Sequence, residues 1–273
     1  MNAAQPGTPD CIPIDGDPNG LYWDAQGQAL LIADSKGGRI LKWTEAGGVV
    51  PFVVLSDSAK GGGLGQIVRS AEGALLVARL GTSSTGGVVR IAPSGETSVV
   101  GQLAPERRRI GLTVTPDGRV FDTWFTRDEN HKGDGGVSEL DVDGGETDLV
   151  TGLKKPVGIL ALGDTLFVSD QEQGKILRAP LADPAALTAF ASVEQPDLLA
   201  AGPDGAILAG SRKGGVQRIE PSGALSVALP SAQQIRGVAY DPEKRRLFAS
   251  EHDASKADGV QNALCIMGLP TSG

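Results

Sequence analysis

The sequence has few of the residues on which many catalytic and binding sites depend. It holds two histidines and two cysteines in 273 residues, and aromatic residues make up 4% of the chain. It contains no Gly-x-Ser-x-Gly nucleophile elbow, no Walker phosphate-binding loop, no Cys-x-x-Cys pair and no His-Glu-x-x-His metal motif. The common sequence signatures of hydrolases, nucleotide-binding proteins and zinc enzymes are therefore missing, and the core must be filled by aliphatic side chains.

The chain also lacks basic charge and long apolar runs. It has 25 lysines and arginines against 33 acidic residues, a net charge of −8. We therefore expect no nucleic-acid partner and no binding to an anionic membrane, since no basic face could dominate. No run of 18 apolar residues occurs, which predicts no membrane span. The start, Met1–Cys11, has neither a basic segment nor an apolar one, so we expect no signal peptide there, although a trimmed exported form would look the same.

Glycine and proline are abundant, and they punctuate a repeated pattern. There are 39 glycines and 17 prolines. In "LLIADSKGGRILKW" (Leu30–Trp43) an apolar strand ends in an acid, crosses a glycine turn and restarts as a second strand. The same arrangement recurs five more times, and turns such as "TPDG" and "GPDG" precede it. Each unit is predicted to form four antiparallel strands.

The spacing of the units indicates the fold. Their first strands begin near Gly20, Gly65, Gly111, Gly158, Leu198 and Gly237, so the intervals are 45, 46, 47, 40 and 39 residues. Four-stranded units with a period of about 40 to 50 residues are typical of propeller blades. We predict an all-β, six-bladed β-propeller that forms a single domain over 1–273. The predicted blades cover 18–55, 63–103, 108–153, 155–193, 195–230 and 234–270.

The last unit runs out of sequence before its fourth strand. A short segment, Thr8–Asp15, precedes the first blade without a unit of its own. We expect 1–15 to supply the missing strand and close the ring. Cys11 would then lie beside Cys265, either as a disulfide or as two separate thiols. A disulfide would favour a periplasmic or secreted protein, and its absence a cytoplasmic one.

Strand ends at one face of a propeller surround its central channel, where ligands usually bind. One predicted column of residues ends the second strands: Asp34, Arg79, Trp124, Asp170, Ser211 and Glu251. A second, more central column precedes the first strands: Asn19, Leu64, Ile110, Val157, Asp197 and Arg236. From these we select as candidate ligand-binding residues Arg79, Trp124, Asp170, Arg236 and Glu251, together with His252. The alternative is that strand-end charges are only solvated.

Three stretches carry a resemblance to a known family: "NGLYWDAQGQALLIADSKGGRILKW", "TVTPDGRV" and "QPDLLAAGPDGAIL". They resemble the senescence-marker-protein/gluconolactonase propellers, whose relatives include NHL-repeat and strictosidine-synthase-like propellers. The resemblance implies one divalent cation, most often calcium, at the channel mouth, held by a glutamate, two asparagines and an aspartate that also serves as the base. In this chain the glutamate position falls on Asn19 and the aspartate on Asp197, while the asparagine positions fall near Ile110 and Val157.

Three functions remain open at this point. The first is hydrolysis of a lactone or related ester, with Asp197 as the base and Asn19 and Asp197 as what remains of a calcium site. The second is a non-catalytic module that binds a small molecule or peptide, oriented by Arg79 and Arg236. The third is a structural or protein-interaction propeller, because fold seldom fixes function.

Overall fold

The computed structural model describes residues 7–55, 62–81, 84–127, 133–253 and 261–270. These residues form six four-stranded antiparallel sheets. The first strand of each sheet contacts the first strand of the next, and the sixth contacts the first, so the sheets form a closed ring around a channel. The predicted six-bladed β-propeller is confirmed. The described residues include one helix, the three-residue 3-10 turn Pro203–Gly205, so none that they contain is long enough to cross a membrane.

The strands are numbered in chain order. Strand β1 is Asp10–Pro13. Blade 1 contains β2 (Pro18–Asp24), β3 (Ala29–Asp34), β4 (Arg39–Thr44) and β5 (Gly48–Val54). Blade 2 contains β6 (Leu64–Arg69), β7 (Leu75–Arg79), β8 (Gly87–Ile91) and β9 (Thr97–Val99). Blade 3 contains β10 (Arg108–Val114), β11 (Val120–Phe125), β12 (Gly135–Leu140) and β13 (Glu146–Leu153). Blade 4 contains β14 (Pro156–Leu162), β15 (Thr165–Asp170), β16 (Lys175–Pro180) and β17 (Thr188–Ser192). Blade 5 contains β18 (Pro196–Ala201), β19 (Ile207–Ser211), β20 (Val216–Ile219) and β21 (Leu225–Leu229). Blade 6 contains β22 (Gln234–Asp241), β23 (Arg246–His252) and β24 (Ala263–Gly268).

The ring is closed by β1, which pairs with β24 and completes blade 6, as predicted. Cys11 lies directly opposite Cys265 in this pairing, and the two sulfurs are joined in a disulfide. Cys11 is exposed, whereas Cys265 is fully buried. Strands β1 and β24 are thus held together by four residue pairs and one disulfide bond.

The apolar core lies between the blades rather than in the channel. Buried aliphatic side chains form six clusters, and each cluster spans the interface of two neighbouring blades. In one of them, Leu31 of β3 packs with Ile67 of β6 and Val77 of β7. The second strand is covered on both faces and is buried along its whole length in blades 1, 2, 3 and 5, and along most of it in blades 4 and 6. This packing fixes the orientation of each inner strand towards the channel.

Candidate functional site

Each inner strand, by which we mean the first strand of a blade, carries a bulge near its beginning. The pairing with the second strand shifts between Pro18 and Leu21 in blade 1, and at the equivalent place in the other five blades. A bulge leaves residues outside the ladder and re-aims their side chains. Five side chains at or beside these bulges line one cavity at the channel mouth: Asn19, Ile110, Val157, Asp197 and Arg236.

Glycine in the bulges lets neighbouring inner strands approach closely. A Cβ added at Gly20 would overlap the carbonyl oxygen of Gly65, and one added at Gly65 would overlap that of Ile110. The glycine that marks five of the six units in the sequence therefore has a packing reason, which is backbone contact between adjacent blades.

Buried hydroxyl groups fasten the bulges to one another in three blades. Ser169 Oγ accepts a hydrogen bond from the Gly158 amide at 2.7 Å and donates to the Asp197 carbonyl oxygen at 2.7 Å. Thr123 makes the corresponding bridge to Val157, and Ser250 makes it to Asn19. Each hydroxyl thus ties its own bulge to the next blade and holds the backbone of a channel-lining residue.

We call the cavity at this end the mouth pocket. Its volume is about 390 Å³, within the range of small-molecule sites. Five cationic side chains line it: Arg108, Arg127, Lys155, Arg212 and Arg236. The remaining lining is apolar or uncharged apart from one carboxylate: Asn19, Leu80, Ile110, Phe125, Val157, Gln171 and Asp197. A second cavity of about 410 Å³ lies further along the channel, lined by all six inner strands and with Arg69 as its one charged residue.

Asp197 supplies the carboxylate of the mouth pocket. The residue is 6% exposed, and its Oδ2 accepts a hydrogen bond from Gln171 Nε2 at 3.2 Å. Burial raises the pKa of Asp197 above its ordinary value, although nearby cations and the Gln171 bond act in the opposite direction. The group is thus a desolvated carboxylate surrounded by positive charge.

Lys155 shows the opposite effect of the same surroundings. Its Nζ donates to Gln171 Oε1 at 2.6 Å and lies 5.7 Å from the centre of the Phe125 ring. Burial lowers the pKa of Lys155, and the like charge of Arg212 lowers it further. The mouth pocket therefore holds cations close enough together to oppose each other's charge.

Three of the predicted site residues meet in the mouth pocket: Asn19, Asp197 and Arg236. Asn19 Nδ2 donates to the Leu64 carbonyl oxygen at 2.7 Å, and its Oδ1 is buried with no hydrogen-bond partner among the described residues. Arg236 Nη1 lies 3.0 Å from Asp17 Oδ1. His252 contacts the same carboxylate, since its Nδ1 is also 3.0 Å from Asp17 Oδ1, but it does not line the mouth pocket. Burial would raise the pKa of Asp17, but hydrogen bonding to His252 and the charge of Arg236 lower it on balance.

The structure places the other predicted ligand-binding residues outside the mouth pocket. The Asp170 carboxylate is fully buried and accepts the amides of Lys154 and Lys155 at 2.9 and 3.1 Å, so it anchors the loop before β14. Trp124 packs in blade 3, where its Nε1 donates to Ser138 Oγ and the Arg107 guanidinium lies 3.8 Å from its ring centre. Neither Asp170 nor Trp124 lines the mouth pocket.

Arg79 and Glu251 also lie elsewhere. Arg79 is buried within blade 2, where it pairs with Gly87 of β8. Glu251 accepts a hydrogen bond from Ser231 and contacts the sulfur of Cys265 at the closing seam. Arg79, Glu251, Asp170 and Trp124 lie outside the mouth pocket for the same reason. Neighbouring residues in a strand point to opposite sides, and the predicted strand-end position is one residue before the position that faces the pocket.

Four of the lining residues that were not predicted lie one residue after the predicted strand-end positions. They are Leu80, Phe125, Gln171 and Arg212. Arg108 and Lys155 lie two residues before Ile110 and Val157, on the same side of the chain. The sequence signal for them was therefore present, in the alternation of the strands, but it required the register to be known.

The residues of the mouth pocket do not fit the divalent cation that the resemblance implies. Calcium takes six to eight oxygen ligands. Of the four ligand positions that the resemblance implies, only Asn19 and Asp197 have side-chain oxygens. Ile110 and Val157 occupy the remaining two positions, and their side chains have no donor atom. The five cations that line the pocket would also repel a metal ion.

A different group of potential metal ligands lies at the closing seam. Among the described residues, Cys11, Glu251 and Cys265 are the cysteine, histidine and carboxylate groups that cluster closely enough for an ion. The two sulfurs are bonded to each other, so they supply no thiolate. This cluster therefore does not replace the missing site.

The chain thus forms a six-bladed propeller with a polar cavity at the mouth of its channel. The family model described as "SMP-30/Gluconolactonase/LRE-like region" matches residues 17–253. The chain belongs to this family, in agreement with the resemblance seen in its sequence. A search of curated proteins finds no significant match.

Solved structures with the same fold share little sequence with the chain. A gluconolactonase from Xanthomonas campestris is 21% identical, with a TM-score of 0.75 over 98% of this chain and 92% of the other. A luciferin-regenerating enzyme is 13% identical, with a TM-score of 0.76 and 96% of each chain covered. The calcium-binding protein regucalcin from Agrobacterium tumefaciens is 16% identical, with a TM-score of 0.73 over 94% and 93%. These likenesses establish the fold.

Proposed function

We propose that the protein hydrolyses a lactone or a related ester in the mouth pocket, with Asp197 as the general base. The observation that carries this proposal is the position of Asp197: it is the one carboxylate that lines the described pocket, and it is buried among cations. Membership of the gluconolactonase-like family supports the same reaction class. A base must lie within reach of the water that it activates, and Asp197 lines the pocket from a bulge whose backbone Ser169 holds.

The proposed reaction consumes one lactone and one water. Asp197 takes a proton from water as the water oxygen bonds to the carbonyl carbon, and the carbonyl electron pair moves onto its oxygen. When the carbonyl reforms, the ring C–O bond breaks and the leaving oxygen takes the proton from Asp197. The product is an open-chain hydroxy acid, and the carboxylate is regenerated.

The negative charge that develops on the carbonyl oxygen needs fixed positive charge or donors nearby. Arg212, Arg236 and Lys155 each act electrostatically on Asp197, which puts them in the neighbourhood of the reacting group. Their charge would do here what a divalent cation does in a metal-dependent hydrolase. The reaction as proposed therefore requires no metal.

Hydrolysis of glucono-δ-lactone, followed by acid release in the presence of a chelator, tests the proposal. We expect Asp197→Asn to lower the rate by about 10²- to 10⁴-fold, the usual contribution of a general base. Asp204→Asn is the matched control, since Asp204 lies in the same blade at a turn with φ 59°, which asparagine tolerates, and does not line the mouth pocket. Loss of the wild-type rate in chelator, or equal rates in the two variants, would contradict the proposal.

A second candidate is a binding module that performs no chemistry. The excess of cations over carboxylates in the mouth pocket favours it, because such a lining suits the retention of an acidic molecule. In that case small ligands would bind, no lactone or ester would turn over, and Asp197→Asn would keep its ligand.

A further inference from the structure

The charge of the mouth pocket is opposite in sign to that of the protein. The whole chain carries a net charge of −8, whereas the pocket lining carries five cations and one carboxylate. Positive charge concentrated in a concave site within an acidic protein focuses the local field and attracts anions. The lining therefore differs in kind from the rest of the molecule.

Two of the five cations are balanced by carboxylates just outside the lining. Arg236 pairs with Asp17, and Arg127 pairs with Glu172. Counting these two acids together with Asp197 leaves the mouth with two positive charges in excess. The ion pairs thus reduce the surplus without removing it.

The other three cations have no carboxylate within ion-pair distance among the described residues. Lys155 is hydrogen-bonded to the neutral amide of Gln171, and Arg212 donates to Gln234 Oε1 at 3.2 and 3.1 Å. Arg108 forms no ion pair within the described part of the chain. All three are only partly exposed. Lys155 and Arg212 are thus partly desolvated cations whose hydrogen bonds go to neutral amide oxygens, and Asp197 is the one carboxylate of the lining that offsets their charge.

The surroundings of Lys155 make its charged form less favourable. Burial and the charge of Arg212 both disfavour its charged form and lower its pKa. A bound anion would favour the charged form of Lys155 and relieve the repulsion between the two cations. The mouth pocket thus offers positive charge and a cavity of about 390 Å³ in one place.

We infer that the mouth pocket binds a small molecule through an anionic group, a carboxylate or a phosphate, held by Lys155 and Arg212 with Arg108 beside them. The anion takes the place in the channel where a divalent cation is implied by the resemblance. Because it names the ligand class of the same pocket, the inference rests on the proposed function for its location. For hydrolysis, it specifies that the preferred lactone or ester carries an acidic group.

Isothermal titration with inorganic phosphate, and separately with succinate, both in the presence of a chelator, tests the inference. We expect 1:1 binding that weakens as salt is raised. The two arms distinguish a phosphate from a carboxylate as the preferred group. Arg212→Gln should weaken binding by about 10- to 100-fold, the loss expected for one charge-assisted hydrogen bond.

Arg218→Gln is the matched control. Arg218 is on β20 of the same blade, forms an ion pair with Glu220 and lies outside the mouth pocket, so its variant should bind as the wild type does. Asp197→Asn should bind phosphate or succinate more tightly, because it removes the one negative charge of the lining. Its melting temperature, measured beside that of Arg212→Gln, shows whether each variant is folded.

The outcomes separate this inference from the proposed hydrolysis. Anion binding that depends on Arg212, without turnover of glucono-δ-lactone or of a lactone that carries a carboxylate, would support the inference and end the hydrolase proposal. Turnover of glucono-δ-lactone by a protein that binds neither anion would do the reverse. Equal affinities of wild type, Arg212→Gln and Arg218→Gln for both anions, or tighter binding of Ca²⁺ than of either anion, would overturn the inference.

Discussion

Reduction of the Cys11–Cys265 disulfide should destabilise the propeller more than the loss of a typical disulfide destabilises a protein. The bond joins residues 254 positions apart, so it closes almost the whole chain into one loop. In the chain-entropy model such a loop contributes about 5.5 kcal/mol at 25 °C, just above the range of about 0 to 5 kcal/mol found for disulfides. With an unfolding entropy of about 0.6 kcal/mol/K for a chain of this length, the melting temperature should fall by about 10 °C.

The variant that isolates this effect is Cys11→Ser. Cys11 is exposed and Cys265 is fully buried, so a change at Cys11 removes the bond with little loss of packing. Without it, the seam depends on the pairing of β1 with β24. Thermal unfolding of wild type and variant should be followed by circular dichroism, with and without a phosphine reductant.

We expect the reduced wild type to match Cys11→Ser, and the reductant to leave the variant unchanged. A melting temperature that moves by less than about 2 °C in both cases would refute the entropic reasoning, since it would correspond to only about 1 kcal/mol. A fall in the wild type alone would point to a second effect of the reductant.

Three further predictions concern the interior. Ser169→Ala removes the hydroxyl that holds the Asp197 carbonyl oxygen, and should cost about 1 to 3 kcal/mol in urea unfolding and lower kcat more than it raises KM, whereas a merely structural role would leave both constants unchanged. Gly65→Ala places a Cβ against the Ile110 carbonyl oxygen and should cost about 1 to 3 kcal/mol; unchanged stability would contradict the close approach of the blades. Burial raises the pKa of Asp122 to about 6. Because that value exceeds the unfolded one, the stability linked to this group is full below about pH 4 and is lost as the pH rises through 6. The unfolding free energy of Asp122→Asn should therefore fall less than that of wild type between pH 4.5 and 7, and parallel pH profiles would count against it.

The repeat made the fold predictable from sequence. Five of the six units mark their first strand with a glycine, and strong turn residues mark the hairpins; these local signals recur at blade-like intervals. Closure by the first strand followed from counting, because the last unit lacked a strand and Thr8–Asp15 had no unit. Asn19, Asp197 and Arg236 were predicted at the mouth because each directly precedes the residue that opens the first strand of its unit.

The rest of the site depends on register, which composition does not specify. Asp170 and Gln171 are adjacent in the chain, yet the first anchors a loop and the second lines the mouth pocket. A shift of one residue exchanges the two faces of a strand, so the strand-end column faced away from the channel. Net charge also misled: a value of −8 gave no indication of a cationic pocket, since the sum over a chain says nothing about where the charges gather.

The central claim is that strand ends and the loops next to them gather five cations at the mouth, so that the pocket accepts an anion where a metal is implied. Crystals soaked in selenate, and others soaked in terbium as a calcium substitute, test it through anomalous scattering. We predict a selenium peak in the mouth pocket between Lys155 and Arg212, and no terbium there. A terbium peak beside Asn19 and Asp197, in a pocket that stays free of selenate, would contradict the claim.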